Sequence, residues 1–240
     1  MPYLSALQES LRHSYVVDYS AFFREYKQLL YFENKQKGYW FIKTWIKVLK
    51  EHDDFEGIAK GASTYKEFDK KPFAQEVLYQ YNKLYIHFNI STIKPILEEK
   101  SALYELKDIR VDEFYGYGDS VHIYRTDVDW LDTSYPRNYN PVYIVPFITP
   151  AHVPMQIDSL LIDGNHRVAM AHHKREKYIP AYLISEKLLA ESQIHSTSFD
   201  KMFYIFYNEY ALFSHLKKEG KSDNELLSQS FLLKLGYEFV

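Results

Sequence analysis

Asp163, Gly164, Asn165, His166 and Arg167 stand in a row, directly after the apolar triplet Leu160-Leu161-Ile162 and directly before Val168-Ala169-Met170-Ala171. A carboxylate, an imidazole and a guanidinium within five positions form a set that can hold an anion, orient a divalent cation and move a proton. The order of residues predicts a strand, a tight turn at Gly164 and a helix whose first turn carries Asn165, His166 and Arg167. The first turn of a helix gathers backbone N–H groups without intrahelical partners at the positive end of the dipole, where anions are favoured. Gly164 permits a positive φ and a close approach of ligand to backbone, and Arg167 adds a planar fork of donors matched to phosphate. The stretch reads as a phosphate-binding corner for a nucleotide. The plain alternative is an ordinary turn, with Asp163 capping the helix and Arg167 paired to a neighbouring carboxylate.

The same residues carry a resemblance. Asp163-Gly164-x-His166-Arg167 resembles the Asp-Gly-x-His-Arg signature of the ParB/sulfiredoxin-like superfamily. Against the Gly-x-x-Arg-x-x-Ala pattern of the ParB branch, Gly164 and Arg167 match and Met170 stands in the alanine slot, flanked by Ala169 and Ala171. The chain is nearest in style to the free-serine kinase branch, whose Asp-Gly-His-His-Arg it departs from at Asn165. The resemblance covers roughly residues 106–186 and is specific over 163–171. It implies an α+β fold built on a small mixed sheet, with nucleotide phosphates held by Gly164, Asn165, His166 and Arg167. ATP or ADP is then the cofactor, with Mg²⁺ held by the phosphates and Asp163, and the activity is phosphoryl transfer to a small-molecule acceptor. Asp163 and His166 take catalytic roles in that scheme. The branch draws its base, a glutamate, from the early part of the domain, and Glu113 is the nearest candidate by position. Sulfiredoxin chemistry needs a cysteine beside the His-Arg pair, and the chain has none.

The elements around the corner follow from periodicity. Val142 to Phe147 and residues 157–162 read as two strands of an antiparallel ribbon joined through Thr149 to Pro154, and Ile179 to Ile184 as a closing strand. Pro141 and Pro146 fit an edge or a strand terminus better than a central strand. Val121-His122-Ile123-Tyr124 alternates as a further short strand. Residues 1–105 read as a helical region: Tyr19, Phe22, Phe23, Tyr26, Leu29 and Leu30 recur at three and four, as do Trp40, Phe41, Trp45, Val48 and Leu49. Gly38 and the stretch from Asp53 to Gly61 look like breaks, a helix is expected over Pro72 to Tyr85, and Ser91 is expected to cap Thr92 to Lys100. Residues 187–240 read as C-terminal helices packed on the core. There, Phe199, Phe203, Phe206, Tyr210 and Phe213 form one apolar seam, with a homodimer interface as its alternative use. Gly220 is expected to end that helix, and Ser222 to Leu233 to form one more.

Composition bounds the function. The 240 residues include 23 Tyr and 16 Phe, and 25% are charged, as in an aromatic-rich globular protein. No apolar run approaches membrane-spanning length and no leader follows Met1, so a cytoplasmic location is the default expectation. The absence of cysteine excludes disulfides, thiolate metal sites and cysteine nucleophiles. Residues 101–186 carry 8 Lys and Arg against 12 Asp and Glu, which argues against a nucleic-acid clamp and so against a ParB-type DNA-associated role. His152, His166, His172 and His173 cluster around the motif, but His172 and His173 also fall where a helix C-terminus favours cations. Gly116-Tyr117-Gly118-Asp119 and Tyr135-Pro136-Arg137-Asn138 are weaker phosphate-facing candidates, each equally a plain loop. A non-enzymatic module whose association with a partner is gated by nucleotide is the alternative to a phosphotransferase.

Overall fold

The computed structural model describes residues 19–28, 31–56, 73–79, 82–99, 103–116, 123–125, 128, 140–152 and 157–239. In chain order these form helices α1 (Tyr19–Gln28) and α2 (Lys35–Glu56), strands β1 (Phe73–Tyr79) and β2 (Asn82–Phe88), helix α3 (Ile90–Glu99) and strand β3 (Tyr104–Arg110). A 3₁₀ turn (Val111–Phe114) and strands β4 (Ile123–Tyr124), β5 (Val142–Pro146) and β6 (Ser159–Asp163) follow. Helix α4 (Asn165–His173) and strand β7 (Tyr178–Ile184) complete the sheet region, and helices α5 (Glu186–Glu191), α6 (Ser198–Lys218), α7 (Asp223–Ser228) and α8 (Phe231–Lys234) close the chain. The fold is α+β.

β3, β7, β5, β6 and β4 form one sheet in that order. It is mixed: β5 runs parallel to β7, β4 runs parallel to β6, and the β5–β6 and β3–β7 pairs are antiparallel. The expected ribbon of 142–147 with 157–162 is therefore present, and so is the closing strand at 178–184. β5 lies in the middle of the sheet, not at an edge. Its prolines are accommodated because Pro141 precedes the strand and Pro146 is its last residue, where no ladder donor is needed. Alternation sorts the two faces. Ile109, Val142, Ile144, Leu161, Ile179 and Ala181 pack under Val168 and Ala171 of α4 and Phe114 of the 3₁₀ turn. Val145, Leu160, Ile162 and Ile184 face the other way, into a larger core shared with the aromatic side chains of α1, α2 and α6.

Several expectations need correction. The helix anticipated over Pro72 to Tyr85 is a hairpin: β1 and β2 pair antiparallel from Phe73↔Phe88 to Tyr79↔Asn82. The stretch is rich in Phe, Val, Ile and Tyr, which favour strands, and its apolar three-and-four spacings coincide with the alternation of Leu84, Ile86 and Phe88. The region 1–105 is thus not wholly helical, and β3 begins within it. Gly38 is not a break; it lies in the first turn of α2, whose start is set by Asn34, with Oδ1 accepting from Gln36 N at 2.9 Å and Lys37 N at 3.3 Å. Ser91 is inside α3 and donates to Asn89 Oδ1 at 2.8 Å, so it does not cap that helix. The candidate stretches Tyr117-Gly118-Asp119 and Tyr135 to Asn138, Val121-His122 and part of the Thr149 to Pro154 connection lie outside the described residues.

The C-terminal seam is core. Phe199, Phe203, Phe206, Tyr210 and Phe213 are all buried within the chain at 4% exposure or less, which leaves none of the seam for a second copy. Gly220 ends α6 at φ 88, as expected. The segment from Ser222 to Leu233 is two helices because the Ser230 hydroxyl accepts from Leu232 N at 3.2 Å and starts a new one. Ser222 opens α7 with a complete capping box: its hydroxyl accepts from Glu225 N, and Glu225 Oε2 accepts from Ser222 N at 2.8 Å. Ser222→Ala removes half of that exchange, and a loss of about 1 kcal/mol in urea-denaturation midpoint analysis is expected. Among the described residues no helix is long and apolar enough to cross a membrane.

Candidate functional site

β6 ends at Asp163 and α4 begins at Asn165, so the motif occupies the predicted strand–turn–helix corner. Gly164 is the residue between, at φ 107 and ψ 17, and no side chain caps the helix there. Positive φ is one reason for glycine. The second is crowding: a Cβ at this position would lie 2.4 Å from Val142 Cγ1 and 2.9 Å from Val142 Cβ. The close approach that Gly164 permits is therefore made by β5, not by a ligand over the glycine. Val168 N donates to Gly164 O at 2.9 Å, which closes the first helical turn. His166 is exposed, Asn165 and Asp163 are half-buried, and Gly164 is buried.

Asp163 and Arg167 form an ion pair across this turn, Nη2 to Oδ2, with side-chain exposures of 36% and 15%. Nη1 of Arg167 donates to the carbonyls of Asn140 and Pro141, both at 2.6 Å. Arg167 thus ties the entry of β5 to the start of α4 and neutralises Asp163 as it does so. Asp163 does not cap the helix, because its side chain is turned to Arg167. The alternative in which Arg167 meets a neighbouring carboxylate describes these contacts; the half-exposed carboxylate and the exposed imidazole remain at the mouth of the turn.

One residue not anticipated from sequence adjoins the pair, and two more stack outward from it. Tyr143 is the cross-strand partner of Asp163. Burial raises its phenol above the usual range, and the charge of Asp163 adds to the rise while Arg167 opposes it; Glu98 lies within the same electrostatic reach. Tyr182 stacks on Tyr143 with centroids 5.7 Å apart and planes at 17°, and Tyr104 meets Tyr182 edge-on at 5.1 Å. The signal was present in the alternation of Val142-Tyr143-Ile144, which puts Tyr143 on the face opposite its neighbours, but register with Asp163 cannot be read from one strand.

Other candidates are dispersed. Glu113 sits in the 3₁₀ turn, which meets the far end of α4: Val111 N donates to Lys177 O at 3.1 Å, and Tyr115 stacks on His172. Its charge acts on Arg110. The 3₁₀ turn thus places Glu113 by the C-terminal end of α4, not beside Asp163. His152 bonds to Tyr31, and His172 belongs to the Tyr115 stack, so the four histidines do not converge. Among the described residues no cluster of three or more His, Asp or Glu is arranged to hold a metal ion; a divalent cation here would rest on Asp163 and on the phosphates of a nucleotide. No protein-family model, curated protein or solved structure matches the chain.

Proposed function

We propose that this protein binds a nucleotide, ATP or ADP, through its phosphates at the start of α4, and that it transfers phosphoryl groups to a hydroxyl-bearing small molecule. One observation carries the reading: β6, a positive-φ glycine and a helix start without a side-chain cap fall in direct succession at Asp163-Gly164-Asn165-His166-Arg167, the arrangement of an anion-binding helix terminus. In this reading the first-turn N–H groups and the exposed His166 receive the phosphates. Arg167 exchanges Asp163 for phosphate oxygen, and the released Asp163 orients Mg²⁺ or the acceptor hydroxyl. In this reading Tyr143, the cross-strand partner of Asp163, stands on the acceptor side of the corner in place of Glu113.

A second reading is a nucleotide-gated binding module. The ion pair favours it, because Asp163 and Arg167 neutralise each other and the carboxylate is then a latch, not a base. The two separate in a thermal-shift and turnover experiment with ATP and ADP, with and without Mg²⁺. Arg167→Ala is expected to abolish the nucleotide-induced rise in Tm. Asp163→Asn is expected to keep it, and to stop transfer to a panel of hydroxyl-bearing metabolites if the protein is a phosphotransferase. Retained binding with no transfer by the unmodified protein selects the module. No response to any nucleotide removes both readings.

A further inference from the structure

β3 is an end strand of the five-stranded sheet, and among the described residues only β7 pairs with it. The register shows which groups line its other edge. At the two ends of the ladder Ser185 N donates to Leu103 O and Val111 N to Lys177 O, both at 3.1 Å. Backbone direction alternates along a strand, so the odd-numbered residues between them, Glu105, Lys107 and Ile109, turn their N–H and C=O groups to β7. Pro180, which has no N–H, accordingly stands opposite Asp108, where β7 needs no donor. Tyr104, Leu106, Asp108 and Arg110 therefore turn their backbone groups outward.

An open edge is a template for another strand, and sheets protect it with a short strand, a proline or a bulge. The far edge follows that rule, since β4 is two residues long. β3 does not. It runs for seven residues without proline or glycine and pairs with β7 without a register shift. Its middle is exposed, and Leu106, at 56%, is the most exposed large apolar side chain among the described residues. Glu105 and Lys107 stand on either side of it in sequence and share the opposite face of the strand. Neither has an ion-pair partner among the described residues.

We propose that this edge pairs antiparallel with β3 of a second copy of the chain, about a two-fold axis at Leu106. Charge selects the register. Outward groups alternate along β3, so the backbone allows a symmetric pair centred on any of its residues. Centres at Glu105, Lys107 or Asp108 set a charge directly opposite itself, which is destabilising. With Leu106 at the centre, Glu105 of each copy stands opposite Lys107 of the other, twice by symmetry, in the close non-hydrogen-bonded pairs. Leu106 meets Leu106 and Tyr104 meets Asp108, and these are the pairs that the outward backbone groups bond. The charges that repel a shifted strand thus encode the register of a matching one. A strand pair alone belongs to the small, transient class of interface, so self-association is expected between about 1 μM and 1 mM. This surface is separate from the buried seam of α6 and does not rest on the nucleotide reading.

The test is sedimentation velocity of the full chain across that concentration range, and reversible dimerisation is expected. K107E and E105K are substitutions at exposed positions, and each sets like charges opposite one another, so each should weaken the dimer about tenfold. The double variant E105K/K107E exchanges the charges and should restore it. An equimolar mixture of the two single variants should restore it as well, because each supplies the charge that the other lacks. The chain has no cysteine, so L106C reads the register directly: it should give a disulfide-linked dimer on mild oxidation, and K107C should not. A chain that stays monomeric throughout leaves the edge to a strand of another protein and overturns the proposal. A dimer that both single variants leave intact, a mixture that stays monomeric, or K107C that cross-links in preference to L106C overturns it too.

Discussion

Replacing Gly164 with alanine is expected to destabilise the protein by about 3 kcal/mol, the sum of overpacking and a disfavoured backbone angle. The new Cβ would stand 2.4 Å from Val142 Cγ1 and 3.2 Å from Arg167 Nη2, at φ 107. Val142 is fully buried in the central strand, so the clash cannot be relieved by rotating a side chain into solvent. Val142→Ala removes Cγ1 and leaves Cβ, so the double variant should be more stable than the two single losses predict, with a coupling of about 1 kcal/mol. Urea denaturation of the four proteins measures that coupling. Additive losses would mean that α4 does not approach β5 as closely as the geometry requires.

The second large effect is the pH profile of stability, which two buried groups tilt in opposite directions. Glu209 is pushed up from 4.5 to about 7 by burial, against hydrogen bonds from Ser230, Phe231 N and Trp45 and the charge of Lys234. A carboxyl raised in the folded state contributes stability that is complete below 4.5 and is lost as pH rises through 7. His195 is pulled down from 6.5 to about 3 by burial, with Asp200 favouring its charged form and Lys201 opposing it. A depressed histidine contributes stability that is complete above 6.5 and is lost as pH falls through 3. Between pH 4.5 and 6.5 the two slopes cancel, and a plateau is expected. Glu209→Gln should turn the plateau into a rise with pH, and His195→Phe should turn it into a fall, each on the order of 3–5 kcal/mol across its window. Denaturation midpoints collected from pH 3 to 8 decide it; a plateau that survives either substitution would remove that group from the account.

The strand–turn–helix corner was legible because its signals are local: three apolar residues, a glycine and a helical period follow one another without interruption. The same holds for β5 and β6, whose apolar runs are bounded by proline and glycine, for the apolar run of β7, and for the seam of α6. The β1–β2 hairpin was not legible, since its apolar residues satisfy both periods and only pairing decides between them. The position of β5 in the middle of the sheet was equally hidden, because strand order is a tertiary property that Pro141 and Pro146 do not encode. At the site, residue types pointed to Asp163, His166 and Arg167, but not to their mutual arrangement. That Arg167 reaches back to the carbonyls of Asn140 and Pro141, and that Tyr143 rather than Glu113 adjoins Asp163, depends on the register of β5 against β6. Register is fixed by burial across strands and not by the spacing of a motif.

On the proposed reading, the Asp163–Arg167 pair makes the corner a site that carries its own competitor. A carboxylate four residues from the guanidinium it occupies acts as a tethered ligand, at an effective concentration that short flexible linkers already bring into the millimolar range. An incoming anion therefore has to displace a tethered rival, so its observed affinity is its intrinsic affinity divided by the strength of that internal contact. On that reading weak monoanions are expected to be rejected, and a ligand that offers several charged oxygens at once to tip the exchange. The donations from Arg167 Nη1 to the carbonyls of Asn140 and Pro141 do not involve Asp163, so an exchange at Nη2 leaves them in place. On the proposed reading, occupancy at the helix start would therefore show as the release of Asp163, with the entry of the central strand held as before.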